Sequence, residues 1–208
     1  MEAILKVSDL TKMFENRKKI EFYAVDHVSF QVMPGQTVGI VGESGSGKST
    51  LAKLLCCLEE PTEGQIRLCG QEIGKRKGKK QREMYRKLQM VFQDPVSSFD
   101  PRRTLGDGIG ESLRNHGMSR EEARKRVELL LEQCDLPEEF AGRYPHEVSG
   151  GQCQRAAIAR ALAIEPQLLI CDEATSALDV TVQKQIMELL DRMRKEKNLT
   201  ILFICHNL

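Results

Sequence analysis

Apolar and polar residues alternate in Ala3–Val7 (AILKV) and again in Val28–Val32 (VSFQV), the period of strands with one buried face. Other segments are short and almost wholly apolar: Thr37–Val41 (TVGIV), Leu88–Phe92 (LQMVF), Leu168–Cys171 (LLIC) and Thr200–Cys205 (TILFIC). These read as further strands, as does QIRL after the turn Pro61–Gly64 (PTEG). Between them the period lengthens to that of helices: KSTLAKLLCCL from Lys48, a helical stretch over 104–134, a helix following SGGQ to about Ala163, and Val180–Lys197. Ser119 with Glu122 forms a capping box that opens the helix running through Leu131. Strands alternating with helices predict an α/β domain with a mainly parallel sheet. The stretch from Asp94 to about Ala163 has no strong strand pattern and is expected to be a helical lobe inserted into that domain. The last strand runs almost to Leu208 with no closing helix, so the chain is expected to be incomplete at its C-terminus.

Composition narrows the class. A chain of 208 residues with 40% hydrophobic and 29% charged residues fits one globular core with a smaller lobe. The 31 basic and 30 acidic residues nearly cancel, and aromatics are only 5%. Both the charge surplus and the stacking surface that nucleic-acid binding needs are therefore lacking, and no nucleic-acid partner is expected. The local basic run Lys75–Lys87 reads as a solvated loop or helix face. Seven scattered cysteines without CxxC spacing indicate neither a disulfide framework nor a zinc site, and fit a reducing cytoplasm. No apolar stretch approaches the roughly 20 residues of a membrane span, so any service to a membrane must run through a partner.

Chemistry concentrates at three places. Gly42-Glu43-Ser44-Gly45-Ser46-Gly47-Lys48-Ser49, with Thr50 beside it, matches G-x-x-x-x-G-K-[ST] between a strand and a helix. Glycines there let backbone N–H groups curl around phosphate oxygens, and the following helix aims its positive end at the same anion. Lys48 is expected to reach the terminal phosphates of ATP, and Ser49 to offer its hydroxyl to Mg²⁺. Second, the strand LLIC ends in Asp172 and Glu173, which places two acids at the carboxyl edge of the sheet. Asp172 suits a metal-holding role and Glu173 that of a general base for the attacking water. Third, Ser149-Gly150-Gly151-Gln152 sets a hydroxyl and bare N–H groups at a helix N-terminus, a second anion site.

VSGGQ followed by CQRAAIARAL resembles the signature of ABC ATPases, and the resemblance covers essentially the whole chain in the family's motif order. It implies a P-loop core with an N-terminal antiparallel β portion and an inserted helical subdomain. It also implies a head-to-tail dimer with a second, identical or related ATPase, in which Ser149, Gly150, Gly151 and Gln152 cap the partner's ATP. Gln93 in MVFQDP then matches the Q-loop glutamine, which contacts Mg²⁺ or water. Asp179 in Ser176–Asp179 matches the D-loop at the dimer seam, and His206 the switch histidine near Glu173. An aromatic that stacks on adenine is expected near the start, at Phe14 with Tyr23 as the alternate. VFQDPVSSFDPRRT and YPHEVSGGQCQRAAIARALAIEP are similar to the ATPases of peptide and nickel importers. The resemblance therefore implies transmembrane permease subunits, an extracytoplasmic binding protein and a peripheral place on the cytoplasmic face of the membrane. A soluble non-transport ABC ATPase, a copy that binds nucleotide without turnover and an accessory ATPase of phosphonate metabolism are the alternatives these motifs leave open. Val148 in place of Leu, Ala174 in place of Pro and CHNL in place of SHDL depart from the pattern without removing a polar catalytic group.

Overall fold

The computed structural model describes residues 2–15, 20–74, 79–176 and 178–206. Strands β1 (Leu5–Glu15), β2 (Glu21–Val32), β4 (Glu63–Leu68) and β5 (Gln71–Ile73) form an antiparallel sheet in the order β2-β1-β4-β5. Strands β3 (Thr37–Val41), β6 (Leu88–Val91), β7 (Leu168–Asp172) and β8 (Thr200–Cys205) form a parallel sheet in the order β3-β8-β7-β6. The helices are α1 (Lys48–Leu55), α2 (Lys79–Lys87), α3 (Leu105–Asn115), α4 (Arg120–Gln133), α5 (Gly150–Leu162) and α6 (Val180–Lys197). The α/β reading with an antiparallel N-terminal portion therefore holds.

The wholly apolar strands are explained by what lies on either face. Leu168 and Ile170 of β7 and Leu202 and Ile204 of β8 enter one hydrophobic cluster with Leu51, Leu54 and Leu55 of α1 and the inner residues of the antiparallel sheet. Their neighbours Leu169, Cys171 and Ile201 enter a second cluster with α3, α4, α5 and α6. A strand buried on both sides has no face on which polar residues could alternate. The second cluster runs without a break from Leu105 and Leu130 through Ala157 to Leu169, so the helices between β6 and β7 share their core with the sheet.

Local chemistry places the ends. Thr104, Ser119, Ser149 and Asp179 cap α3, α4, α5 and α6, and the Ser119–Glu122 box has both of its hydrogen bonds. Asn198 ends α6 in the left-handed conformation, a C-cap role that asparagine tolerates. Several elements escape the sequence reading. β1 and β2 extend well beyond AILKV and VSFQV, and β5 pairs with β4 across the two-residue turn Cys69-Gly70, both at positive φ. Residues 79–87 of the basic run are a helix whose Met84 is buried, while positions 75–78 lie outside the described residues.

Asp135 ties three helices together. Its carboxylate accepts from Arg155 at 2.8 Å and from Arg192 at 2.8 Å, linking the end of α4 to α5 and α6. Partial burial pushes its pKa up, but the hydrogen bonds from Arg192 and Arg155 outweigh this and hold it below the usual carboxylate value. A depressed folded-state pKa contributes stability above the unfolded value and loses it as pH falls through the folded value. The pair is partly exposed, so Asp135→Asn is expected to cost less than about 1 kcal/mol near neutrality. Urea melts should show the wild-type advantage shrinking as the pH drops below the usual carboxylate range.

Candidate functional site

Each of the four parallel strands delivers a candidate residue at its carboxyl end, where open α/β sheets bind ligands. β3 leads into Gly42–Gly47, β8 into His206, β7 into Glu173 and β6 into Gln93. Gly47 is the N-cap of α1 in the left-handed region, φ 90°, with no side-chain cap bond. The first N–H groups of α1 therefore lack a side-chain cap and are suited to an anion. Side-chain carbon at Gly47 would overlap the Ala24 carbonyl oxygen, so the loop lies directly against β2.

Lys48 is buried and uses all three of its N–H groups. It donates to the Gly42 carbonyl at 2.8 Å and the Glu43 carbonyl at 2.7 Å, and lies 3.4 Å from His206 Nδ1. On the other side of the ring, His206 Nε2 is 2.6 Å from Glu173 Oε1. An ammonium has no acceptor, so Nδ1 must accept from Lys48, and Nε2–H then donates to Glu173. Lysine, imidazole and carboxylate thus form one continuous line. Glu173 is buried, its backbone N–H donates to the Ile204 carbonyl at 2.8 Å, and its φ of 48° is uncommon for a non-glycine residue. The backbone therefore holds the carboxylate in place against a local conformational preference.

Asp172 is 8% exposed, and its Oδ1 is buried with no hydrogen-bond partner among the described residues. Burial, then the neighbouring Glu173, push its pKa up, while Lys53 and Lys48 oppose them. An orphaned carboxylate oxygen beside a lysine-bearing loop is the donor a hard divalent cation takes up. That oxygen, the Ser49 hydroxyl and the Gln93 side-chain oxygen are all hard donors, a chemistry that fits Mg²⁺.

Phe14, Tyr23, Lys48, Ser49, Thr50, Gln93, Glu173 and His206 line one open cleft of about 500 Å³, together with Ser44, Gly45 and Gly47 of the loop. Phe22, which the sequence reading passed over, lines it too. It faces Phe14 across the β1–β2 pair with ring centroids 5.9 Å apart. Phe22 and Tyr23 are 50% and 59% exposed, so a flat apolar ligand could cover them. A larger cavity of about 720 Å³ lies between α3 and α4, lined by Arg103, Arg114, Arg120 and Arg124. Asp107 and Glu128 line it as well, but neither the glycine-rich loop nor the strand ends bearing Gln93, Glu173 and His206 reach it, and chemistry rather than volume distinguishes the cleft.

The signature residues are elsewhere. Ser149, Gly150, Gly151 and Gln152 begin α5 and do not line the cleft. Ser149 and Gln152 cap each other reciprocally at 3.3 and 2.9 Å, which engages the glutamine side-chain oxygen. A Cβ at Gly151 would meet Val182 Cγ1 at 2.7 Å, so this glycine is demanded by the close approach of α6. Asp179 caps α6 through Val182, and Ala177 of the same loop lies outside the described residues. The chain thus gathers the loop, Gln93, Glu173 and His206 into one site and keeps SGGQ apart from it.

Residues 25–176 match the model of the ABC transporter family. The chain is 48% identical over its whole length to the oligopeptide transport ATP-binding protein AppF of Bacillus subtilis, and spans 65% of that protein. It is 42% identical to the oligopeptide transport ATP-binding protein OppF of Escherichia coli and 47% identical to the glutathione import ATP-binding protein GsiA of Salmonella paratyphi A, spanning 65% and 34% of them. Among solved structures, the ATP-binding cassette MJ0796, described as a dimer in a post-hydrolysis state bound to ADP and Pi, matches with TM-score 0.88 and 34% identity. That match covers 98% of this chain and 88% of the other. CbiO1 of Clostridium perfringens, described as part of the ABC transporter complex cbiONQ, matches with TM-score 0.84 and 29% identity, covering 100% and 80%. By sequence and by fold alike, the chain belongs to the ABC transporter family.

Proposed function

We propose that this chain binds and hydrolyses ATP as the motor subunit of an ABC importer for peptides. The observation that carries the reading is the line Glu173–His206–Lys48 at the mouth of a glycine-rich phosphate loop. The loop N–H groups and the start of α1 bind the phosphates, while Phe14, Phe22 and Tyr23 offer the base a surface. Lys48 exchanges its bonds with the loop carbonyls for the terminal phosphates, where its charge offsets that developing in transfer. Glu173 accepts the proton of the attacking water, with His206 fixing the carboxylate by its Nε2–H bond. Ser49, Gln93 and Asp172 would hold Mg²⁺, which when bound would neutralise phosphate charge.

SGGQ stands apart from this cleft, so its helix N-terminus is assigned to the nucleotide of a second, identical or related ATPase in a head-to-tail dimer. The segment 94–163 is assigned as the lobe that meets transmembrane permease subunits, with Arg102 at that contact, beneath an extracytoplasmic binding protein. Among the described residues no helix is long and apolar enough to cross a membrane, and the proposed place is peripheral, on the inner face. The relatives named above carry peptides or glutathione, which favours a peptide cargo over nickel.

The test is the solution mass of the Glu173→Gln protein with and without Mg-ATP. ATP is expected to double it, and Ser149→Arg added to the same chain is expected to keep it monomeric. ATP binding with no change of mass for this chain, alone or mixed with a related ATPase, removes the shared-site reading.

A further inference from the structure

At the end of α1 opposite Lys48 lies a group of four sulfur atoms that the nucleotide cleft does not use. The helix ends in two adjacent cysteines, and each thiol meets a methionine from a different element. The Cys56 thiol donates to Met90 Sδ of β6 at 3.5 Å, and the Cys57 thiol to Met84 Sδ of α2 at 3.5 Å. The backbone fixes the pair. The Cys56 N–H donates to the Ala52 carbonyl and the Cys57 N–H to the Leu54 carbonyl, both at 3.0 Å, with Cys57 in the left-handed region at φ 53°. Cys56 and Met84 are buried, and Cys57 and Met90 pack half-buried against the same hydrophobic cluster. Cys69, by contrast, donates to an oxygen, that of the Gln167 side chain.

The donor chemistry selects the ligand. Thiolate and thioether are soft donors that favour Cu(I), whereas hard cations take carboxylate, carbonyl and water. Among the described residues no third thiol, imidazole or carboxylate gathers with the two cysteines, so Zn²⁺ finds no ligand set here. Distance agrees with chemistry. A metal–sulfur bond of about 2.3 Å, at an angle between tetrahedral and trigonal, sets two ligand sulfurs about 3.8–4.0 Å apart. Each 3.5 Å pair must therefore open by only about 0.3–0.5 Å, a change the unbranched methionine side chain can absorb. Met84 also lines a cavity of about 230 Å³ with Gln71 and Glu83, which gives a cation an approach from outside the core.

We propose that Cys56, Cys57, Met84 and Met90 form a site for a single soft monovalent cation of the Cu(I) class, separate from the nucleotide cleft. On binding, the two S–H bonds break, both protons pass to water, and two sulfur–copper bonds form in place of the S–H···S contacts. The thioethers complete the shell with lone pairs and lose no proton. Copper enters and stays as Cu(I), so neither oxidant nor reductant takes part. The bound ion ties the end of α1 to α2 and to β6. The site draws on no group of the ATP chemistry, and it stands or falls apart from that reading.

Anaerobic titration of the full chain with Cu(I), against a competing colorimetric Cu(I) chelator, tests it. The wild type is expected to hold a single Cu(I) per chain against the chelator, with sulfur neighbours alone in X-ray absorption at the copper edge. Its thermal unfolding is expected to move upward on loading, because the ion binds the folded state. Cys57→Ala is expected to weaken binding about a hundredfold or more, and Met84→Leu and Met90→Leu about tenfold each. Leucine nearly matches methionine in volume, so the two leucine variants keep the packing and their loss reports the sulfur. Cys69→Ala is expected to bind as the wild type does. No uptake by the wild type, or nitrogen or oxygen neighbours at the copper, overturns the site. Equal affinity in the wild type and Cys57→Ala, or loss in Cys69→Ala, places the ion elsewhere and overturns it too. Loss in Cys57→Ala with both leucine variants unchanged removes the thioethers and with them the four-sulfur site.

Discussion

Glu173→Gln is expected to lower the turnover of ATP about a thousandfold while leaving nucleotide affinity within about threefold. The substitution keeps the size of the side chain and an oxygen that can accept from His206 Nε2, now 2.6 Å from Glu173 Oε1. It removes only the capacity to take a proton from water. Affinity resides in other groups, the loop N–H groups and Lys48, which the change does not touch. His206→Ala is expected to reduce turnover by less, about ten- to a hundredfold, because it deprives the base of its orienting bond but leaves the base. Single-turnover kinetics with separately measured nucleotide binding distinguishes the two effects. A Glu173→Gln protein that retains turnover above a tenth of wild type would remove Glu173 from the general-base role. Parallel losses of affinity and turnover would instead assign Glu173 to holding the phosphates.

The residues at the strand ends were legible because each combines a chemical group with a local pattern that states its position. LLIC before Asp172 and Glu173 and TILFIC before His206 each mark a buried strand. TVGIV before the glycines marks an edge strand with no buried residue, and in each the next residue must emerge at the carboxyl end of the sheet. SGGQ was legible as a capped helix start, and Ser149 caps α5 as that pattern requires. Four things could not be read. Phe22 joins the cleft through its pairing with Phe14 across β1 and β2, which depends on register rather than on local sequence. β5 is three residues long and follows a Cys-Gly turn, too short for any period to show. The nearness of His206 to Glu173 followed from the family resemblance, but the contact of Lys48 with His206 joins residues far apart in sequence, and only the order β3-β8-β7 brings their ends together. Gly151 reads as a phosphate-binding glycine, whereas the structure also demands it for contact with Val182.

Gly47→Ala is expected to cost roughly 2–5 kcal/mol of stability and to weaken nucleotide binding by about a hundredfold or more, whereas Gly45→Ala should cost only about 1–2 kcal/mol. The two glycines share the left-handed backbone, at φ 90° and 81°. They differ in what a methyl group would meet. At Gly45 nothing lies within 4 Å, so alanine there bears conformational strain alone. At Gly47 the methyl would overlap the Ala24 carbonyl, a backbone group fixed by the strand that carries it, and no side chain can rotate away to make room. The loop must then withdraw from β2. Gly47 is also the N-cap of α1, directly before Lys48, so that displacement would move the lysine and the helix N–H groups away from the phosphate position. Strain and crowding add at one glycine and separate at the other, which makes the pair its own control. Chemical denaturation and nucleotide titration of both variants measure the two contributions. If Gly45→Ala and Gly47→Ala lose equal stability, the crowding against β2 has no energetic weight and the backbone conformation alone accounts for both.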